Sequence, residues 1–536
     1  MKRQHRWLCG LLLGATLAGC GGRPERWDTP FERGATVGLR GSVAMIDSRR
    51  DEVMLLTSPE QNRLAVERFR VGENVVAAVP SNDREKLFVL TRGARQRLRP
   101  DDERPALVVI SGGVEPRVET SYELSDPLQK LALDPLGEWV VAYDQGGAVV
   151  NVNELMLVHV AEPGEAPIPV TISSTGGQPR RFTFTTPLTL PSGEKHRLLV
   201  IETDQDVAII DLDSPGEREF TVPLPRTRSG APGQPAQVVF HDSLPGAENA
   251  SYLAIRLLGD SNVLTLELGE PHEGSSAAFS LAPNIVDAGG QPSTIDFVET
   301  GESERGLRLA ALVPQRSAAV LFDPATSRSE LVEFDSAYSG IARVTSFVSD
   351  RPETGDVALL YSDSVARIAF WRLGAASTTP YASFESYAVE NRVSRVLDVP
   401  GDAFAHLKLL TASSDEFFLL DLERRQSHPM RAESGFQVEL SPDGLRAWVF
   451  SPGSRAFAQL DFADKHPMTL DAQLPIEQVF DIEHSGDAGR TALVLHAAAD
   501  EFGTAESSDV GVTLFDAEQP DSAATRFVSG LSLEGW

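Results

Sequence analysis

The chain of 536 residues has almost no cysteine: Cys9 and Cys20 are the only two, and both lie in the first twenty positions. Residues 21–536 can therefore form no disulfide and offer no thiolate to a metal. Lysine is nearly as scarce, six residues against 42 arginines, a bias that points to a GC-rich coding sequence rather than to a function. Positive charge as a whole is short, since 48 Lys and Arg face 77 Asp and Glu for a formal net charge of −29. A surface of that sign repels phosphate backbones and anionic headgroups, which argues against nucleic acid as a partner and against a polybasic membrane-docking face. Beyond residue 17 no long apolar run and no sustained helical period appears. The ten histidines are scattered without a His-Glu-x-x-His or a pair at helical ligand spacing, and no glycine-rich phosphate loop is present. No metal or cofactor is expected.

What is present begins at the N-terminus. Lys2, Arg3 and Arg6 flank an apolar stretch from Trp7 to Leu17 that is too short to span a bilayer and fits a cleaved signal. Leu17-Ala18-Gly19-Cys20 resembles the lipobox of bacterial lipoproteins. That resemblance implies cleavage between Gly19 and Cys20, diacylation of the Cys20 sulfur with palmitate-type chains, and acylation of the new amino terminus. Three acyl chains anchor far more firmly than one. Losing residues 1–19, which carry three positive charges and no acidic group, would take the net charge from −29 to −32. Glycine rather than aspartate follows the cysteine, which by the sorting rule of Gram-negative lipoproteins implies the outer membrane, with the body facing the periplasm. Gly21, Gly22 and Pro24 then begin a tether. The expected organisation is a signal peptide at 1–19, a lipidated cysteine and tether at 20–39, and one folded body at 40–536.

The body repeats itself. GGQPRRFTF (176–184), PGQPAQVVF (232–240) and GGQPSTIDF (289–297) align without gaps, each with Gln-Pro, two variable residues and apolar-x-Phe. Proline has no N–H to give a ladder and suits the entry to a strand. Extending the phase gives nine anchors, Val79, Leu133, Phe184, Phe240, Phe297, Phe347, Val399, Leu440 and Ile482, spaced 41 to 57 residues apart. After each comes a turn and an apolar run such as WVVAY or TALVLH. A third run follows, often ending in aspartate, as in VAIID (207–211), AVLFD (319–323) and VTLFD (512–516), and then a more polar fourth. Four short strands per unit read as a meander, and consecutive apolar positions require burial on both faces. Sheets of four strands covered on both sides by their neighbours are the blades of a β-propeller. The expectation is an all-β ring of about eight to ten units, with residues 43–71 supplying about three extra strands. Tandem immunoglobulin-like sandwiches would need a period near 100 residues.

The stretch ELSPDGLRAWVF (439–450) places Ser441-Pro442-Asp443-Gly444 between two alternating runs, and Asp134-Pro135-Leu136-Gly137 is a partial copy. Pro442 presets the turn, Asp443 favours it and Gly444 can take φ > 0. These corners resemble those of the YVTN and TolB-like propeller families, which supports the architecture over roughly 40–536 and implies no particular activity.

Candidate chemistry is thin. DLDSPGE (211–217) superficially resembles an acidic calcium loop but lacks the full ligand spacing, and it reads as a turn. Gly259-Asp260-Ser261 and Asp481-Ile482-Glu483-His484 faintly resemble the nucleophile and base blocks of GDS-type esterases, on the wrong scaffold. GLSLEG (530–535) misses the nucleophile elbow because Glu534 stands where glycine is needed. The six tryptophans have no period of the kind that marks quinone-dependent propeller dehydrogenases. The expected function is that of a binding or scaffolding module for an envelope protein. The barrel-assembly machinery of the outer membrane, which contains a propeller lipoprotein, is the analogy. The alternative is a hydrolase or lactonase-like enzyme at the channel mouth, and no catalytic residue is assigned.

Overall fold

A computed structural model describes residues 33–528, apart from connecting stretches of which 244–249, 300–305, 344–356, 374–383, 497–510 and 520–525 are the longest. Gly19 and Cys20 lie outside the described residues. Apart from one short 3-10 turn at Pro314–Arg316 the assigned elements are strands, and among the described residues no helix is long and apolar enough to cross a membrane.

Ten four-stranded antiparallel sheets follow one another along the chain, at 33–70, 75–123, 130–171, 181–223, 235–287, 294–333, 340–388, 395–431, 437–471 and 476–528. They are called blades 1 to 10 in that order. Each is a meander, and among the described residues only blade 4 carries an insertion, a small hairpin pairing Leu188 and Thr189 with His196 and Lys195. First strands of neighbouring blades touch one another, as between blades 1 and 2, 5 and 6, and 10 and 1, so the first strand is the innermost and lines the channel.

The pattern of consecutive apolar residues has a direct cause. In the second strand of blade 3 (Trp139–Tyr143), Val140 and Ala142 pack toward blade 2, whereas Trp139, Val141 and Tyr143 pack toward blade 4. Alternate side chains thus serve opposite neighbours, and all five are buried. The core is divided into ten hydrophobic clusters, one for each cleft between neighbouring blades. Ten blades with ten filled clefts make a closed ring, because an open row would fill nine. The closing cleft buries Val43, Met45 and Leu56 of blade 1 against Ile482, Leu493 and Val512 of blade 10. Polar groups add to it: Glu483 N donates to Arg40 O at 3.0 Å, and Ser58 Oγ lies 3.2 Å from Thr491 Oγ1.

The repeat phase is right in seven places: Val79, Leu133, Phe184, Phe240, Phe297, Leu440 and Ile482 all lie on inner strands. Val399 comes one residue after its strand, Arg395–Asp398. Phe347 falls outside the described residues, and the inner strand of blade 7 is Gly340–Arg343, earlier than that anchor. Blade 1 is a complete blade whose first strand, Arg33–Gly38, lies in the stretch assigned to the tether by sequence.

The corner at 441–444 is structural. Ser441 Oγ donates to Asp443 Oδ1 at 2.6 Å, that oxygen accepts Leu445 N at 3.0 Å, and Gly444 has φ +69°. Ser81-Asn82-Asp83-Arg84 in blade 2 makes the same contacts without proline or glycine, Arg84 taking φ +59°. At Asp134 the carboxylate alone accepts Leu136 N, Glu138 N and Trp139 N. These corners also clamp blades together. Arg197 of blade 4 reaches Asp134 of blade 3 at 2.5 Å, and Arg490 of blade 10 lies 3.4 Å from Asp443 of blade 9. The strand-end aspartates have a related task, since Asp211, Asp323, Asp421, Asp461 and Asp516 each accept a backbone N–H two or three residues on.

Candidate functional site on the turn face

The meander gives the ring two unlike faces. Corners between first and second strands occupy one, the corner face. Turns between second and third strands, with the connections between blades, occupy the other, the turn face. On the corner face the channel is bridged: Arg84 of blade 2 pairs with Glu439 of blade 9, three blades away around the ring. Burial pushes the Glu439 carboxyl up, against the pull of Arg84.

On the turn face a cavity of about 1020 Å³ opens where blades 1, 2 and 3 meet. Its walls come from the second turn of blade 1 (Ser48, Arg49, Asp51), the connection into blade 2 (Asn74) and the second turn of blade 2 (Arg92, Arg95). Volume at this scale is that of a small-molecule site. Its lining is polar, and among the described lining residues the charged ones are three arginines and one aspartate, on a chain that is otherwise strongly acidic.

Asn74 organises the cavity. With φ +59° it turns the connection back on itself, a conformation asparagine tolerates better than most residues. Its N–H donates to Asp51 Oδ1 at 2.8 Å and its side-chain NH₂ to Gly93 O at 2.7 Å. Its backbone oxygen accepts Arg92 N at 3.0 Å, and its Oδ1 accepts Arg95 Nε at 3.4 Å. One residue therefore ties both arginine-bearing turns together. Burial raises the Asp51 carboxyl above its ordinary value, and the hydrogen bond from Asn74 only partly offsets that.

The residues that sequence singled out for chemistry do not converge. Ser261 begins on the turn face of blade 5, whereas His484 follows the inner strand of blade 10 on the corner face, half a ring away. Asp481 is wholly buried, bonded to Arg490 Nε at 2.5 Å and Trp448 Nε1 at 2.9 Å, and burial pushes its carboxyl up. His484 bonds instead to Thr491 Oγ1 at 2.6 Å. The esterase arrangement is therefore absent. Residues 211–217 form the expected turn, with Asp213 N donating to Asp211 Oδ1 and Glu217 N to Ser214 O. His196 Nδ1 lies 3.0 Å from Asp211 Oδ2 and 4.0 Å from Asp213 Oδ2, the nearest approach to a buried ligand set among the described residues. Those carboxylates already serve the turn and Arg197 N. The segment 530–535 lies outside the described residues.

The cavity itself was not anticipated from sequence. Its residues come from four stretches far apart in the chain, and the one available signal was the cluster of arginines at 49–50 and 92–95 in an acidic chain.

No family profile matches the chain, and no curated protein sequence matches it. Solved structures align with the chain at low identity and with TM-scores below 0.5. The dihydro-heme d1 dehydrogenase NirN in complex with DHE is 12% identical with a TM-score of 0.38, over 82% of this chain and 75% of that one. Apo AztD from Citrobacter koseri is 9% identical with a TM-score of 0.38, over 84% and 97%. A eukaryotic initiation factor is 9% identical with a TM-score of 0.43, over 93% and 96%. By its own sheet topology the chain is a ten-bladed β-propeller.

Proposed function

We propose that this protein is an envelope lipoprotein, held to the periplasmic face of the outer membrane by acyl groups on Cys20, whose ring is a rigid platform for binding an envelope partner. The observation that carries the binding role is the polar cavity on the turn face. Its turns are pinned through Asn74, so little ordering is left to be done when a partner arrives. Binding sites commonly lie on loops held by a stiff scaffold, and the ten buried clefts supply that stiffness. A hydrolase reading lacks its central pair, since Ser261 and His484 sit on opposite faces. Affinity capture from envelope extracts tests the platform, comparing the tagged full chain with a variant carrying Arg92→Glu and Arg95→Glu. A partner retained by the first and lost by the second is expected. Identical captures, or none above background, would remove the reading.

A further inference from the structure

The cavity's charge narrows what it can hold. Arg49, Arg92 and Arg95 line it, and Asp51 is the one acidic side chain among the described lining residues. Elsewhere arginines tend to be matched by carboxylates: Arg40 with Glu483, Arg180 with Asp204, Arg197 with Asp134 and Arg490 with Asp481. Arg92 differs, for its guanidinium makes no hydrogen bond or ion pair among the described residues. Arg95 uses only its Nε, in a long 3.4 Å bond to Asn74, leaving its terminal nitrogens directed by no other described contact. Asp51 is committed to the Asn74 N–H. Guanidinium groups present a planar fork of donors that matches carboxylate and phosphoryl oxygens in paired hydrogen bonds.

We propose that this cavity binds a small polyanion carrying at least two carboxylate or phosphoryl groups, gripped by Arg92 and Arg95 of blade 2. The inference rests on reading the ring as a binding platform. Two features call for more than one anionic group. Two guanidinium groups, those of Arg92 and Arg95, face one space, and that space, about 1020 Å³, far exceeds one tetrahedral anion. The exposed Val76 at its edge gives an apolar contact for the ligand's carbon or linker portion.

Isothermal calorimetry on the full chain, at low ionic strength, with pyrophosphate in one arm and citrate in the other, tests this. Saturable one-to-one binding is expected in at least one arm. It should weaken at least about tenfold in Arg92→Ala and further in Arg92→Ala with Arg95→Ala, and it should fall as salt is raised. Pyrophosphate alone would assign phosphoryl chemistry, and citrate alone carboxylate chemistry. Arg367→Ala, which removes a pair with Asp335 in blade 7, should bind as the parent does. Binding in neither arm, or equal binding by the parent and the double variant, would overturn the proposal. Thermal melts of the variants guard against misfolding. Polyanion binding without capture of any envelope protein would keep the ring as a binding platform and remove only the envelope-protein partner.

Discussion

Gly444 of blade 9 lies so close to the carbonyl of Pro400 in the corner of blade 8 that a β-carbon at 444 would sit 1.7 Å from that oxygen. The corner therefore needs glycine twice, for its φ of +69° and for the approach of the neighbouring blade. Gly137, at the equivalent corner of blade 3, has φ +75° and nothing within 4 Å of where its β-carbon would be. The two substitutions to alanine separate the causes. Gly137→Ala should lose about 1 kcal/mol, from backbone strain alone. Gly444→Ala should lose roughly 3 kcal/mol or more, since two backbones must part. Denaturant melts of both variants check the order, and equal losses would show that the contact with Pro400 gives way cheaply.

Asp443 makes the corner sensitive to pH. Burial alone would raise its carboxyl. The Ser441 hydroxyl, the Leu445 N–H and the nearby Arg490 outweigh that and hold it below the ordinary aspartate range. A depressed folded-state value favours the charged form in the fold, so the stabilisation is complete above the unfolded value and fades as pH falls through the folded one. Asp443→Asn should therefore be less stable than the parent at pH 7, by about 1–3 kcal/mol. The gap should narrow below about pH 4. A gap that stays constant from pH 7 to pH 3 would rule out a charged role for Asp443.

Asn74 should govern the two arginine-bearing turns. Asn74→Gly keeps access to φ > 0 but loses the bonds to Gly93 O and Arg95 Nε, and a cost of about 1–2 kcal/mol is expected. Amide exchange should accelerate at residues 92–95 and remain slow in the strands of blade 6. Unchanged exchange at 92–95 would show that those turns hold their shape without it.

Anchoring through the lipobox is checked by metabolic labelling with an alkyne fatty acid. The parent should carry label and fractionate with the outer membrane, and Cys20→Ser should carry none and be released. Equal labelling of both chains would end the lipoprotein reading.

The fold was legible because its signals are local and recur. Gln-Pro-x-x-apolar-x-Phe marks inner strands in blades 4, 5 and 6, and the prolines have a visible use: Pro179 O accepts Gln145 Nε2, and Pro292 O accepts Arg256, each from the preceding blade. Phase was lost near Phe347 and Val399, where the unit lacks that motif and nothing local fixes the start of the strand. The Ser-Asn-Asp-Arg corner of blade 2 escaped notice because Arg84 takes the left-handed position that glycine normally advertises. The cavity was hidden for a different reason. Arg49, Asn74 and Arg92 become neighbours only when two blades are laid side by side, and no periodicity records that juxtaposition.

Each blade is drawn from one unbroken segment of chain, blade 10 included, so among the described residues no strand is lent across the seam between blades 1 and 10. The unit that folds into a blade is then also a unit that a gene could copy. An in-frame duplication or loss of about fifty codons would add or remove a whole blade without unpairing a single ladder, and the remaining blades would only have to tilt to share the change in curvature. Rings closed by a borrowed strand must instead preserve the pairing of their two termini through any such event. For this protein the number of blades is accordingly a quantity that heredity can count up or down.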